Sequence, residues 1–292
     1  MLRLVSTSVA ILTFALSTTP VAAQSFLNGD WVGTFHEDQP ERGPGPELGD
    51  YLGIPVNAAG RQYADSWDAS RLTLPEHQCR AHVSPYIYRG PIRVRITEEI
   101  DPATQTVTAI KHFLSTYAQE RTIWLDGRPH PSKYAEHQWQ GFSTGEWIDG
   151  ALKVTTTHIK YSFVHRNGIP LSPYAVMTEY YWRHGDLLVL AIIVEDPIYL
   201  TEPLVRTATF RRDPNLTIPP ALPFEVSEEL PSLEKGQVPA YPLGTKHPEY
   251  SEKHHLPFEA SQGGAHTMYP EYAKRLEELM RAPAAKSTTA TK

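Results

Sequence analysis

Two stretches of alternating residues carry the side chains best suited to acid–base chemistry. Between residues 152 and 160, a period of two puts Leu152, Val154, Thr156, His158 and Lys160 on one face of a strand. If the apolar residues point inward, His158 and Lys160 enter the interior as well. There an imidazole beside an amine acts in acid–base catalysis or binds an anionic group. The alternative is that the strand extends past the sheet and both groups meet solvent.

The second stretch aligns Met177, Glu179, Tyr181 and Arg183 on one face. A buried glutamate must be paired or neutral. We expect Glu179 to lie across the interior from His158 as an acid–base pair, with Tyr181 beside it. The opposite orientation, with the intervening side chains in the core, fits the alternation equally well.

Several basic residues are candidates for ligand binding. The sequence Asp126–Pro131 places Arg128 and His130 on a loop stiffened by prolines, and His137 follows in the same loop. Loops at the mouth of a barrel are where ligands are met. Arg95, if it points inward, can hold a carboxylate in bidentate fashion.

Two further patterns resemble functional motifs without their usual context. Residues 141–145 have the Gly-x-Ser-x-Gly spacing of a nucleophile elbow around Ser143, but a hairpin follows where the elbow needs a helix. His77, Cys79 and His82 bring three donor atoms close together, although their spacing matches no common zinc template. The sequence predicts no cofactor and leaves open whether the histidines bind a metal.

The elements that must position these residues are β-strands. Turn dipeptides at Asp126-Gly127 and Asp149-Gly150, with few helical periodicities, favour an all-β fold. We predict a single antiparallel barrel of about nine strands, with a β-sandwich as the alternative. An eight-stranded barrel is just large enough to hold one small ligand. The predicted strands cover residues 29–33, 92–97, 105–115, 120–125, 142–148, 151–161, 177–183, 187–195 and 204–212.

The chain divides into three predicted regions. Residues 1–23 have the charged start, short apolar stretch and small residues before Gln24 of a secretory signal peptide, which predicts a periplasmic or secreted protein. Residues 24–213 form the barrel domain, including a lid-like helix that Asn57 caps. Residues 214–292 form a Pro-rich tail with a short helix near residues 270–280.

Composition excludes several classes of function. The formal net charge is −6 and no basic stripe is present, which argues against a nucleic-acid partner. After the signal peptide no apolar run is long enough for a membrane span. Cys79 is the single cysteine, so an intramolecular disulfide cannot form.

Gly29-Asp30-Trp31-Val32-Gly33 resembles the Gly-x-Trp strand that opens lipocalin-like barrels. The resemblance implies a barrel with an internal cavity, and it makes Trp31 a candidate ligand-binding residue. It also implies that an arginine from the last strand, here Arg206 or Arg211, stacks on Trp31. Residues 121–131, 141–147 and 263–272 resemble a family of uncharacterised exported bacterial proteins, which implies a single unit but no activity.

These patterns predict that the protein binds a small hydrophobic or aromatic molecule in an internal cavity. The alternative is a cofactor-free enzyme on the same barrel, a lyase, isomerase or hydrolase, that uses His158 with Lys160 or Glu179. A third possibility is an interaction protein whose tail docks onto a partner. The predicted partner is therefore a small-molecule ligand or substrate.

Overall fold

The structure, a computed structural model, describes residues 27–34, 47–89, 92–218, 225–226 and 236–281. The predicted signal peptide lies outside the described residues, as do three parts of the predicted tail.

The main body of the protein is a closed barrel of nine strands. A separate hairpin of two short strands lies between the sixth and seventh strands of the barrel in the sequence. The alternative fold, a β-sandwich, is not observed. Each of the nine predicted segments coincides with a barrel strand. The barrel strands are β1 (Gly29–Gly33), β2 (Arg93–Ile100), β3 (Val107–Leu114), β4 (Gln119–Trp124), β5 (Phe142–Ile148), β6 (Ala151–Thr157), β9 (Val176–His184), β10 (Leu187–Glu195) and β11 (Leu204–Arg212), and the hairpin comprises β7 (Ser162–His165) and β8 (Ile169–Leu171).

One pair of barrel strands is parallel, which corrects the predicted single antiparallel barrel. Neighbouring strands run antiparallel around the ring except β4 and β5, where Ile123 pairs with Ser143 in parallel register. A closed ring with an odd number of strands cannot alternate direction throughout, so one parallel pair is required. Asp126-Gly127 accordingly begins a long connection from β4 to β5, whereas Asp149-Gly150 closes the predicted hairpin between β5 and β6.

The barrel interior is packed with side chains from alternate strand positions. On β10, Leu188, Leu190, Ile192 and Val194 are buried while the intervening residues are more exposed. The other strands contribute in the same way to one hydrophobic core. This period-two burial is the physical basis on which the strands were predictable.

Trp31 closes the interior near β1 and is completely buried. Its indole Nε1 donates a hydrogen bond of 2.9 Å to the carbonyl oxygen of Leu27. The guanidinium over its ring, at 5.6 Å, belongs to Arg183 on β9. The expected arginine was one from the last strand, but Arg206 donates to the Val164 carbonyl and Arg211 is exposed. Trp31 is therefore a packing residue of the barrel.

The described residues include six short α-helices outside the barrel strands. As predicted, Asn57 caps the first helix, accepting a hydrogen bond of 2.9 Å from the Gly60 amide. Among the described residues, no helix combines the length and apolar character needed to cross a bilayer. The helices are α1 (Ala58–Asp65), α2 (Pro75–Gln78), α3 (Ser84–Ile87), α4 (Glu249–Lys253), α5 (Phe258–Ser261) and α6 (Tyr272–Arg281), and 3₁₀ turns cover Ala69–Thr73, Thr116–Ala118 and Ala265–Met268.

The described part of the tail packs against the chain that follows α1. Ala240 forms an isolated antiparallel bridge with Trp67, and the Tyr241 amide donates to the Ser66 carbonyl at 3.1 Å. The buried ring of His247 bonds through Nε2 to the Asp65 carbonyl at 2.8 Å. The tail therefore helps to fix the position of Trp67.

Candidate functional site

A cavity of about 290 Å³ lies at the barrel end where β3 turns into β4 and β6 ends. None of its lining residues belongs to a barrel strand. We call it the aromatic–arginine cavity, because aromatic and basic side chains dominate its wall. The aromatic members are Tyr63, Trp67, Tyr117, Trp139, Tyr161 and Phe163, and the basic members are Arg71, Arg80, Arg166, His77 and His82.

The helical segment before β2 supplies one wall of this cavity. Tyr63 projects from α1, and Trp67 follows four residues later. A glycine in the turn between β7 and β8 allows the close approach of Trp67. A Cβ added at Gly168 would lie 2.3 Å from the Trp67 Cβ atom, and its φ of +95° is one that other residues rarely adopt. Trp67 is thus held between the β7–β8 turn and the C-terminal segment.

Ring contacts connect the aromatic members of the wall. The Phe163 ring on β7 packs 5.8 Å from the Trp67 ring and 5.3 Å from the Tyr86 ring. The His82 imidazole lies edge-on to Tyr117 at 5.1 Å and to Tyr86 at 4.9 Å. Such edge-to-face contacts stabilise a fixed arrangement of rings. The wall is therefore a preformed aromatic surface.

The charged groups of the cavity are all basic. Among the described residues, its lining includes three arginines and no carboxylate. The Nε atom of Arg71 donates a hydrogen bond of 3.3 Å to the Pro239 carbonyl. The Nε atom of Arg80 donates one of 2.7 Å to the Glu76 carbonyl. No hydrogen bond or ion pair within the described chain engages the Nη groups of either arginine.

The two histidines of the wall respond to this positive environment. Burial and the nearby charge of Arg166 lower the pKa of His82 to about 4. Burial lowers the pKa of His77 as well, and the charges of Arg80 and Arg71 add to the effect. Both imidazoles are therefore neutral at neutral pH, and the net positive charge comes from the arginines.

A second polar cluster fills part of the barrel interior around Arg121 on β4. Its guanidinium Nη1 donates to Glu179 Oε1 at 3.0 Å, and Nη2 also bonds to Glu179 Oε2. Ser143 and Thr156 accept further bonds from it at 3.1 and 2.8 Å. Glu179 accepts another bond from the Tyr181 hydroxyl at 2.9 Å. The predicted inward orientation of Glu179 and Tyr181 is thus observed, but the partner of Glu179 is Arg121.

The Arg121 guanidinium keeps its charge despite its complete burial. Burial disfavours the guanidinium charge, but Glu179 and the neighbouring hydroxyls outweigh this and raise the pKa of Arg121. Tyr88, directly after α3, reaches this group and bonds to His112 Nδ1 at 2.8 Å. Burial and the charge of Arg121 lower the pKa of His112 to about 3, so its ring stays neutral.

Three predicted site residues meet on the outer side of the barrel, away from Glu179. His130 bonds to Thr144 and Thr157, and the Thr157 hydroxyl bonds to His158 Nδ1 at 2.8 Å. The His158 and His137 rings lie 5.2 Å apart. The expected alternation ends at Thr157 because His158 has a φ of +57°, which turns its ring away from the interior face. No described hydrogen bond or ion pair joins His158 to Glu179.

The hydrogen-bond partners assign a proton position to each ring of this histidine cluster. The Ser132 carbonyl, 2.9 Å from His158 Nε2, can only accept, so Nε2 carries the proton and Nδ1 accepts from Thr157. Thr157 then accepts from His130 Nδ1, and His130 Nε2 accepts from Thr144. The cluster thereby ties the β4–β5 connection to β5 and β6.

The remaining predicted residues lie apart from one another. Lys160 Nζ sits 5.2 Å from the centre of the Trp139 ring, at the edge of the aromatic–arginine cavity. Arg128 stacks on Trp124 at 3.4 Å and pairs with Asp126. Arg95 is exposed and pairs with Asp30 at 2.7 Å. Arg95 and Arg128 therefore each have a carboxylate partner on the surface.

The motif-like patterns have structural explanations. Ser143 lies within β5, and its hydroxyl accepts from Arg121, so the strand-to-helix turn of a nucleophile elbow does not occur there. In the part of the chain that the structure describes, no group of three or more histidine, cysteine or carboxylate side chains is placed to hold a metal.

Comparison of the chain with protein-family models, with curated proteins and with solved structures finds no match.

The sequence did not single out the arginines that matter most. Arg121 alternates with Ile123 in the fourth predicted strand, and that period-two pattern was a usable signal for an inward charge. Arg71, Arg80 and Arg166 come from irregular segments without periodicity, so only the tertiary structure brings them together.

Proposed function

We propose that this protein binds a small aromatic molecule in the aromatic–arginine cavity at the end of its barrel. The observation that carries the proposal is the convergence of six aromatic side chains from separate chain segments on one cavity of about 290 Å³. Binding sites for small molecules are typically concave and lined by aromatic residues with a few polar groups. A cavity of roughly 150 Å³ holds benzene, so this one has room for a ring with a substituent.

The proposed ligand belongs to the class that the sequence predicted, a small hydrophobic or aromatic molecule. Its proposed site, however, lies at the end of the barrel and not inside it. An internal site was expected from the lipocalin-like resemblance, with which a closed nine-stranded barrel is compatible. Here the interior next to Arg121 holds packed and hydrogen-bonded side chains, which favours the cavity at the barrel end. The proposal also includes export from the cytoplasm, which depends on the sequence of residues 1–23 alone.

The enzymatic alternative stays a prediction, and the contacts give it less support. Its proposed pair is separated, because Glu179 bonds to Arg121 inside the barrel while His158 bonds to the Ser132 carbonyl outside it. Turnover by His158 with Lys160 alone needs a substrate-sized cavity between them, and neither residue lines the aromatic–arginine cavity.

Calorimetric titration with a neutral aromatic probe, cinnamamide, tests the proposal. We expect saturable binding to the wild type and a loss of about tenfold or more in affinity for Phe163→Ala and Trp139→Ala, since each removes one wall of the cavity. Tyr134→Ala is the matched control, because Tyr134 is 85% exposed and does not line the cavity. Absence of binding, or equal binding by all four proteins, would overturn the proposal.

A further inference from the structure

We infer that the ligand of the aromatic–arginine cavity is an aromatic carboxylate, with its anionic group bound by Arg71 and Arg80 and its ring against Phe163 and Trp139. This inference rests on the proposed function and narrows the class of ligand. Two separate observations support it: the charge balance of the wall and the unused donors of two arginines.

The charge balance of the wall favours an anion. Arg71 and Arg80 line the cavity, and none of the described lining residues is a carboxylate. Glu76 on α2 takes the Arg80 Nε bond with its backbone carbonyl, and the residue is exposed. Positive charges in a partly enclosed, low-dielectric space attract an anion more strongly than they would in water.

The unused donors match the geometry of a carboxylate. Arg71 and Arg80 engage their Nε atoms with backbone carbonyls, which fixes the direction of each guanidinium. Their Nη groups have no hydrogen-bond or ion-pair partner among the described residues. A guanidinium fork pairs with the two oxygens of a carboxylate, and such charge-assisted bonds are stronger than neutral ones.

Titration with cinnamate and cinnamamide tests the inference, because the two probes share shape and differ in charge. We expect cinnamate to bind the wild type about tenfold or more tightly than cinnamamide. Increasing the salt concentration from about 0.05 to 0.5 M should weaken the binding of cinnamate and leave that of cinnamamide nearly unchanged.

Variants of the arginines locate the effect. Arg80→Met and Arg71→Met should each reduce the preference for cinnamate several-fold, while Arg211→Met, a control on the exposed surface of β11, should not. Arg80 is the safer variant, because it is exposed and bonds only to a carbonyl of α2.

The outcomes separate this inference from the proposed function. Equal binding of the two probes, or a preference that survives both arginine substitutions, overturns the carboxylate inference and leaves an aromatic site in place. Failure of both probes to bind overturns the proposed function and this inference with it.

Discussion

Arg121 on β4 and Glu179 on β9 form an ion pair of 3.0 Å across the interior of the barrel, with both side chains completely buried. Two strands, β5 and β6, separate them in the ring, so the pair spans the interior. Their remaining polar atoms bond to Ser143, Thr156 and Tyr181. The network therefore links these strands through polar contacts within an otherwise apolar core.

The buried ion pair predicts a large loss in the free energy of unfolding when one of its two charges is removed. Glu179→Gln leaves the Arg121 guanidinium buried without its counter-ion, so we expect the free energy of unfolding in urea to fall by about 3–5 kcal/mol. Glu146→Gln is the control, since it removes only the exposed pair with Lys153 and should cost about 1 kcal/mol or less. Equal stability of Glu179→Gln and the wild type would contradict an ionised structural pair.

The buried ring of His112 predicts a defined dependence of stability on pH. The unfolded chain takes up a proton on His112 near pH 6.5, whereas the folded chain resists protonation until about pH 3. The unfolded state thus binds more protons in this window, so the free energy of unfolding falls as the pH falls from 6.5 towards 3. At pH 4 the contribution of His112 to this loss is about 3 kcal/mol.

His112→Asn isolates this contribution, because it keeps a polar group near Tyr88 and cannot titrate. Urea unfolding of both proteins between pH 7 and pH 4 should give a shallower slope for the variant, although it starts from a lower stability. Identical slopes would show that His112 is not the buried neutral group that its contacts imply.

Replacement of His158 is expected to lower the stability of the fold. It is nearly buried, and its two ring nitrogens tie the Ser132 carbonyl to the Thr157 hydroxyl. His158→Ala removes both bonds, so we expect the free energy of unfolding to fall by about 1–3 kcal/mol. Affinity for cinnamamide should stay within about twofold of the wild type, because His158 does not line the cavity. An unchanged thermal midpoint with altered ligand chemistry would instead favour the enzymatic alternative.

The pattern of residues predicted the barrel more completely than the site. The strands were visible because several of them, such as β10, place apolar residues at every second position and others are rich in β-branched and aromatic residues. The parallel pair of β4 and β5 was missed, since hairpin dipeptides report local turns and the direction of that pair follows from closure of an odd ring. His158 escaped the pattern because its positive φ ends the alternation, which no neighbouring residue type signals.

The cavity depended on long-range packing and was predictable only in part. The sequence indicated a lid-like helix capped by Asn57, and this helix contributes Tyr63 to the cavity wall. The meeting of Tyr63 with Arg71 and Phe163 depends on contacts such as those of Gly168 with Trp67 and Ala240 with Trp67, which join distant parts of the chain. No periodicity encodes such contacts.

Gly168 gives a prediction that links packing to binding. Gly168→Ala adds a Cβ atom that would meet the Trp67 side chain at 2.3 Å, so Trp67 must shift. We expect a loss of stability of about 2–4 kcal/mol from overpacking plus backbone strain, and weaker binding of cinnamamide. Gly236→Ala is the control, because its φ of +88° imposes similar strain with no atom within 4 Å of the new Cβ. Equal effects of the two substitutions on binding would contradict the placement of Trp67 in the site.

A crystal structure of the protein with bound cinnamate would locate the ligand. We expect density for the ring beside Phe163 and Trp139, outside the barrel strands, with the carboxylate within hydrogen-bond distance of Arg71 or Arg80. Density for the ligand inside the barrel next to Arg121, or an unoccupied cavity at saturating cinnamate, would overturn the proposed site.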